Sequence, residues 1–297
     1  MTLARTLILF LALFFFNTHI IAQDDDTVLT IGSNLIVLNA TITDKSGKPA
    51  GGLKQEQFKV FEDGKEQTIS FFSAEQTSFA AVILIDTSGS MEERVSMARA
   101  AAINFLDGLR VGDNAAIYRF DSKVVLIQPF SDSRDVNEKI FEIKADGMTA
   151  LNDSIFTAAE ELAKRPEKRR AIVVLSDGAD TISSRSAGKA MTAAQKAAAS
   201  IYTIDMSAID SGGRERMQSQ SALKNFAEKT GGKFISTPGG ASLRQAFKSI
   251  VEELGLQYTL SYEPTDLKKD GKWRSIELLV SRPNLTIRTR RGYTASK

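Results

Sequence analysis

Between residues 79 and 254, short apolar runs alternate with longer stretches in which apolar residues recur every three or four positions. The runs at 80–85, 115–120, 124–127, 171–175, 201–204 and 233–235 have the length and branched, aliphatic character of strands. The stretches near 93–109, 134–143, 151–164, 187–199, 216–230 and 243–254 predict amphipathic helices. Such alternation predicts an α/β fold: a doubly wound, mostly parallel sheet with helices on both faces. The runs at 115–120 and 124–127 are joined by too few residues for a crossover helix, so one of the two is expected to be an antiparallel edge strand.

The flanks follow a different rule. From about residue 27 to 73 the pattern is strand-like. Leu38, Ala40 and Ile42 alternate with Asn39, Thr41 and Thr43, the period of a half-buried strand. Phe58 to Glu62 lead into Asp63-Gly64, a two-residue hairpin signal. From 257 to 293 strands return: Ile276, Leu278 and Val280 alternate with residues of the other face, and Asp270-Gly271 reads as a turn. Neither flank is large enough to build a core alone. Together they approach one immunoglobulin-like β-sandwich, into which the α/β unit would be inserted. Two separate small sheets lying on the α/β unit are the alternative. The division expected is 23–78 and 255–297 for the sandwich and 79–254 for the inserted unit. Arg288, Arg290 and Arg291 near the end read as a charged edge strand that resists aggregation, with an anion site as the alternative.

The first 22 residues belong to neither pattern. Arg5 precedes a charge-free run from Leu7 to Phe16, and the segment closes on Ile20-Ile21-Ala22. A basic start, a short apolar stretch and a small residue at the cut describe a signal peptide over 1–22. The run is short for a transmembrane helix and is interrupted by Asn17, Thr18 and His19, although an uncleaved anchor is the alternative. The expected location is secreted or periplasmic, with no membrane insertion after cleavage. Asp24-Asp25-Asp26 then reads as a solvated leader.

Composition narrows the chemistry. The 297 residues include no cysteine, and the single histidine, His19, lies in the leader. Ser-His-Asp and Cys-His catalysis, His- or Cys-based zinc sites and histidine-ligated haem are thereby removed, and stability must come from packing rather than disulfides. Any metal would be a hard cation held by oxygens. The formal net charge is only +2, and removing Arg5 with the leader lowers it by one, so nothing points to nucleic acid as a partner.

Oxygen-bearing residues gather where an open α/β sheet binds its ligands, outside the carboxyl ends of the strands. Asp86, Ser88 and Ser90 follow the first strand in the order D-x-S-x-S, Thr149 precedes a helix, and Asp177 ends the strand over 171–176. Two carboxylates, three hydroxyls and waters suit Mg²⁺ better than Ca²⁺, which takes more carboxylates or carbonyls. Ser90 with Glu93 also has the spacing of a helix capping box, and the two roles can coexist. Asp180 reads as a loop or cap residue rather than a sixth ligand. Asp153 and Ser154 read as first-turn helix residues.

These residues resemble the von Willebrand factor type A domain with its metal-ion-dependent adhesion site, over roughly 79–254. D-x-S-x-S stands as Asp86, Ser88 and Ser90, the separate threonine as Thr149 and the second aspartate as Asp177. Met148 stands where many relatives have glycine. The flanking segments VFEDGKEQTISFF and GKWRSIELLVSRP are similar, more loosely, to those of secreted bacterial proteins carrying such a domain. The resemblance implies a Rossmann-like domain that binds Mg²⁺ or Mn²⁺ through these five side chains. A protein ligand would then offer an acidic side chain to the metal. It implies adhesion or assembly, not catalysis, and a last helix whose position can respond to the metal loops.

Two rival readings use the same residues. A haloacid-dehalogenase-like phosphohydrolase would employ Asp86 as nucleophile, but needs a second acid two residues on, where Ser88 stands. A purely structural domain, with a metal site and no partner, is the other. Aspartic-peptidase and P-loop patterns are not met: Asp86-Thr87 is followed by Ser88, and no G-x-x-x-x-G-K-[ST] occurs.

Overall fold

The structure, a computed structural model, describes residues 35–74, 76–178, 180–207, 213–237 and 239–296. The expected signal peptide over 1–22, the aspartate run and the first residues of the N-terminal strand zone lie outside the described residues. No helix among the described residues is long and apolar enough to cross a membrane.

The N-terminal flank forms β1 (Ile36–Asp44), β2 (Phe58–Glu62), β3 (Lys65–Gln67) and β4 (Ile69–Ser73). The middle of the chain forms β5 (Phe79–Asp86), α1 (Val95–Asp107), β6 (Asn114–Phe120), β7 (Val124–Ser131), α2 (Leu151–Ala163), β8 (Arg169–Ser176), α3 (Ala187–Lys196), β9 (Ala199–Asp205), α4 (Arg214–Thr230), β10 (Phe234–Ser236) and α5 (Gly240–Gly255). The C-terminal flank adds β11 (Tyr258–Tyr262), β12 (Trp273–Val280), β13 (Leu285–Arg288) and β14 (Gly292–Thr294).

The middle elements build one six-stranded sheet of order β10-β9-β8-β5-β6-β7. All its pairs are parallel except β6–β7, so β7 is the expected antiparallel edge. Every residue of β5 is buried because both faces of the sheet are covered. Ala81, Ile83 and Ile85 pack with Phe105 of α1 and Phe247 of α5. Val82 and Leu84 pack with Ile155 of α2, Ala194 of α3 and Phe226 of α4. The fold class is thus the mixed α/β, mostly parallel sheet that the alternation of runs and helices implies.

The helix expected over 134–143 is not formed; only a 3-10 turn, Glu138–Glu142, appears there. Side chains claim the backbone groups that a helix would use. Ser133 N donates to Ser131 Oγ and Asp135 N to Ser133 Oγ. Gln128 then accepts from Asn137 N and donates to Asp135 O.

Strands from the two flanks join in two antiparallel four-stranded sheets, β13-β1-β11-β4 and β14-β12-β2-β3. Each sheet mixes strands from both ends of the chain, which fits a sandwich region with the α/β unit inserted. Leu38, Ala40, Val60, Leu260 and Leu278 are among the residues that fill the core between them. The Asp63-Gly64 turn adopts positive φ at both residues, 47° and 79°, as a tight β2–β3 hairpin requires.

The alternation along β1 has a meaning the sequence conceals. Its polar residues Asn39 and Thr41 are buried as well, at 7% and 4% exposure, because that face lies on the α/β unit. Asn39 Nδ2 donates to Lys168 O, and Thr41 Oγ1 donates to Glu253 Oε1 on α5. Arg169, fully buried at the start of β8, donates to Gly255 O, Gln257 O and Thr259 Oγ1. The expected half-buried strand is therefore buried on both sides, with polar partners satisfied across the contact.

Candidate metal centre

β5 and β8 are adjacent parallel strands at the centre of the sheet, and the chain leaves β5 toward β6 but later enters β8 on the other side. Strand order reverses there, and the crevice outside the carboxyl ends is where such sheets accept ligands. Asp86 ends β5, Ser176 ends β8, and Asp177 follows directly.

Asp86 is fully buried. Its Oδ1 accepts from Ser88 N at 2.9 Å, and its Oδ2 from Ser176 Oγ at 2.5 Å. Burial pushes its carboxyl up to about 6; the hydrogen bonds from Ser176 and Ser88 pull the other way, and the charge of Asp177 pushes it further up. Ser88 is buried and its Oγ lies 3.2 Å from that of Ser90, which is exposed. Asp177 Oδ1 is buried with no hydrogen-bond partner among the described residues. An orphaned carboxylate oxygen beside a second buried carboxylate is a costly arrangement that a cation would relieve.

The second loop is tied to the first. Gly89 N donates to Gly147 O at 3.0 Å and Asp146 N to Thr87 O at 2.8 Å, while Thr87 N donates to Phe120 O at the end of β6. Thr149 is buried, its N–H held by Thr181 Oγ1 and its carbonyl by Thr181 N. Its own hydroxyl makes no hydrogen bond among the described residues. The loops bearing Asp86, Ser88, Ser90, Thr149 and Asp177 thus meet at one edge of the sheet.

Neighbouring polar residues have other work. Asp180 accepts from Asn152 N and Nδ2 and from Ser183 Oγ, so it caps the first turn of α2. Asp153 accepts from Ser184 N and Arg185 N, anchoring the loop after β8. The capping box expected of Ser90 and Glu93 is absent. Ser90 lies inside a 3-10 turn, Gly89–Met91, and α1 begins only at Val95, with Arg94 as its cap. That turn delays the helix and leaves the Ser90 hydroxyl beside Ser88. Ser176 is the participant that sequence reasoning overlooks; the only signal is a serine at the end of an apolar strand, directly before an aspartate.

Among the described residues no group of three or more His, Asp or Glu side chains is placed to hold a metal. Two carboxylates with several hydroxyls form the donor set, and hard cations that keep part of their water shell match it.

Residues 81–179 match the family model of the von Willebrand factor type A domain. Among solved structures, the vWF domain of the type V pili tip protein Mfa5 from Porphyromonas gingivalis aligns with 62% of this chain and 98% of its own, at TM-score 0.51 and 16% identity. Proximal thread matrix protein 1 from the mussel byssus aligns with 65% of this chain and 51% of its own, at TM-score 0.50 and 16% identity. The PilB minor pilin from Streptococcus sanguinis gives TM-score 0.48 and 17% identity over 61% of this chain. The match spans 62% of that pilin's length. These likenesses are of fold. A search of curated proteins finds no match to this chain.

Proposed function

We propose that this chain is a divalent-cation-dependent protein-binding module, serving adhesion or assembly outside the cytoplasm after removal of residues 1–22. Asp86, Ser88, Ser90, Thr149 and Asp177 would hold Mg²⁺ or Mn²⁺, directly or through water. The observation that carries this reading is the buried, partnerless Oδ1 of Asp177 next to the fully buried carboxylate of Asp86. The Thr149 hydroxyl, which makes no hydrogen bond among the described residues, supports it.

A bound cation supplies a Lewis-acidic position that an outside carboxylate can fill. The chain's own residues do the rest. Ser176 and the Ser88 amide orient Asp86, the Gly89–Gly147 bond holds the first two loops in step, and Asp180 and Asp153 fasten the third to α2. With only two carboxylates nearby, much of the ion's charge would stay available to an acidic side chain of a protein partner. No residue is placed two positions after Asp86 to protonate a leaving group, since Ser88 stands there, so the module is read as a binder and not an enzyme.

Calorimetric titration with Mg²⁺ and with Mn²⁺, repeated on Asp86→Ala, tests the site. Binding by the wild type and its loss in the variant are expected; absence of binding to either ion at low salt would overturn the reading. Capture of partner proteins with and without EDTA then separates a metal-dependent binder from a structural domain.

A further inference from the structure

A cavity of about 240 Å³ opens where the start of β1, the last turn of α3 and β14 meet, and three basic side chains line it: Arg170, Lys196 and Arg290. Arg290 is only 8% exposed. Its Nη1 donates to Gln195 O at 2.9 Å, while its Nε is buried with no partner among the described residues. Arg170 donates through Nη1 to Ala197 O and through Nη2 to Arg165 O, and its Nε too is buried and unpartnered. The side-chain amide of Gln195, 4% exposed, contributes a third buried nitrogen without an acceptor.

Among the described residues no carboxylate forms an ion pair with these three cations, although the charge of Glu167 acts on Arg170 from beyond that distance. Among the described residues, neighbouring cations pair as Arg165–Glu167 and Arg288–Glu253, and no ion pair reaches Arg170, Lys196 or Arg290. Glu62 acts on Arg290 from beyond ion-pair distance, its Oε2 already accepting from the hydroxyls of Tyr262 and Tyr293. Part of the arrangement has a local reason: the bonds to Gln195 O and Ala197 O satisfy carbonyls at the negative end of α3. That role uses Nη1 of Arg290 and leaves its Nε without a partner among the described residues, while the guanidinium lies 5.9 Å from the centre of the Tyr293 ring. A buried guanidinium without an acid is costly, and the strongest partner for it is an oxyanion that takes charge-assisted hydrogen bonds.

We propose that this cavity is a binding site for a small oxyanion, a phosphate or carboxylate group held by the charges of Arg170, Lys196 and Arg290. The volume suits such a group with a few waters or a short carbon chain, a water occupying about 30 Å³. Leu35, Val37 and the ring of Tyr293 supply the apolar part of the wall. The site is separate from the metal centre. Arg170 stands near the start of β8 and Asp177 just past its end, roughly 23 Å apart at the rise of an extended strand. The basic end that reads from sequence as a plain charged edge thus turns one of its arginines inward.

The test uses the full chain at constant ionic strength, with chloride as the control anion. Inorganic phosphate and, separately, acetate are titrated by calorimetry and by thermal shift; which arm binds tells phosphate from carboxylate chemistry. Saturable binding of one or both at one site per chain, with a melting temperature above the chloride control, is expected. Lys196→Gln changes an exposed residue and leaves the core intact, and should weaken binding about tenfold, as loss of one charge-assisted contact implies. Arg290→Gln should abolish it. Neither anion binding beyond chloride, or equal binding by wild type and Lys196→Gln, would overturn the proposal.

Discussion

The hydroxyl of Ser176, last residue of β8, lies 2.5 Å from Oδ2 of Asp86, last residue of β5, and joins the two central strands at the point where the sheet's connections reverse. The same oxygen accepts from Gly178 N, so one hydroxyl positions both the first and the third loop of the candidate site. Ser176→Ala should therefore weaken Mg²⁺ or Mn²⁺ binding about 10- to 100-fold, the usual cost of losing a group that orients a ligand. Titration of the ion against wild type and variant measures it, and an unchanged affinity would remove Ser176 from the site.

Gly178 has φ of 88°, and a Cβ there would sit 2.8 Å from Ser219 O of α4. Gly178→Ala should lower stability by more than about 1 kcal/mol, since both backbone strain and the contact oppose it. Because Asp177 precedes it, cation affinity should fall as well. Urea unfolding combined with ion titration follows both effects; loss of stability without loss of affinity would mean that the loop after β8 does not position Asp177.

Glu253 near the end of α5 accepts from Thr41 Oγ1 and, at 2.6 Å, from the Tyr202 hydroxyl, and pairs with Arg288. It thereby binds β1, β9 and β13 to one helix. Glu253→Ala strands a largely buried guanidinium and a buried phenol, and should destabilise the chain by roughly 3 kcal/mol. Denaturant midpoints at equal slope are the check.

Arg169 makes the complementary contact, with its guanidinium on the carbonyls of Gly255 and Gln257. Burial, with a smaller contribution from Arg110, pulls it down to about 10, yet it stays a cation at neutral pH. Arg169→Met keeps much of the volume but orphans those carbonyls. Calorimetric unfolding should shift to a lower temperature, as the antiparallel sheets and the α/β unit lose one of their buried polar links. A transition at an unchanged temperature would contradict that role.

How far the sequence reveals this depends on the range of the interactions. β5, β8 and α2 are legible because each is a long run with one period, and local hydrophobic pattern decides them. The five candidate oxygens are legible because they adjoin those elements: Asp86, Ser88 and Ser90 stand at the end of β5, Thr149 before α2 and Asp177 after β8. Residues 134–143 carry a helical pattern, but serine and glutamine side chains capture the backbone first. The pairing of β1 with β11 joins residues more than 200 positions apart, as Ile36 with Tyr262, and no local signal encodes it. The burial of Asn39 and Thr41 follows from that pairing, so their polar character reads as solvent exposure until the α/β unit is in place. Ser176 is hidden for the same reason: its role exists only once β8 lies beside β5.

In the proposed site Asp86 and Asp177 hold one divalent cation together. Electron paramagnetic resonance of Mn²⁺ counts it directly, because bound ion leaves the sharp signal of free Mn²⁺. One saturable Mn²⁺ per wild-type chain, displaced by Mg²⁺ and lost in both Asp86→Asn and Asp177→Asn, is the expected result. No saturable binding by the wild type, or binding that survives both substitutions, would show that the two aspartates do not share an ion.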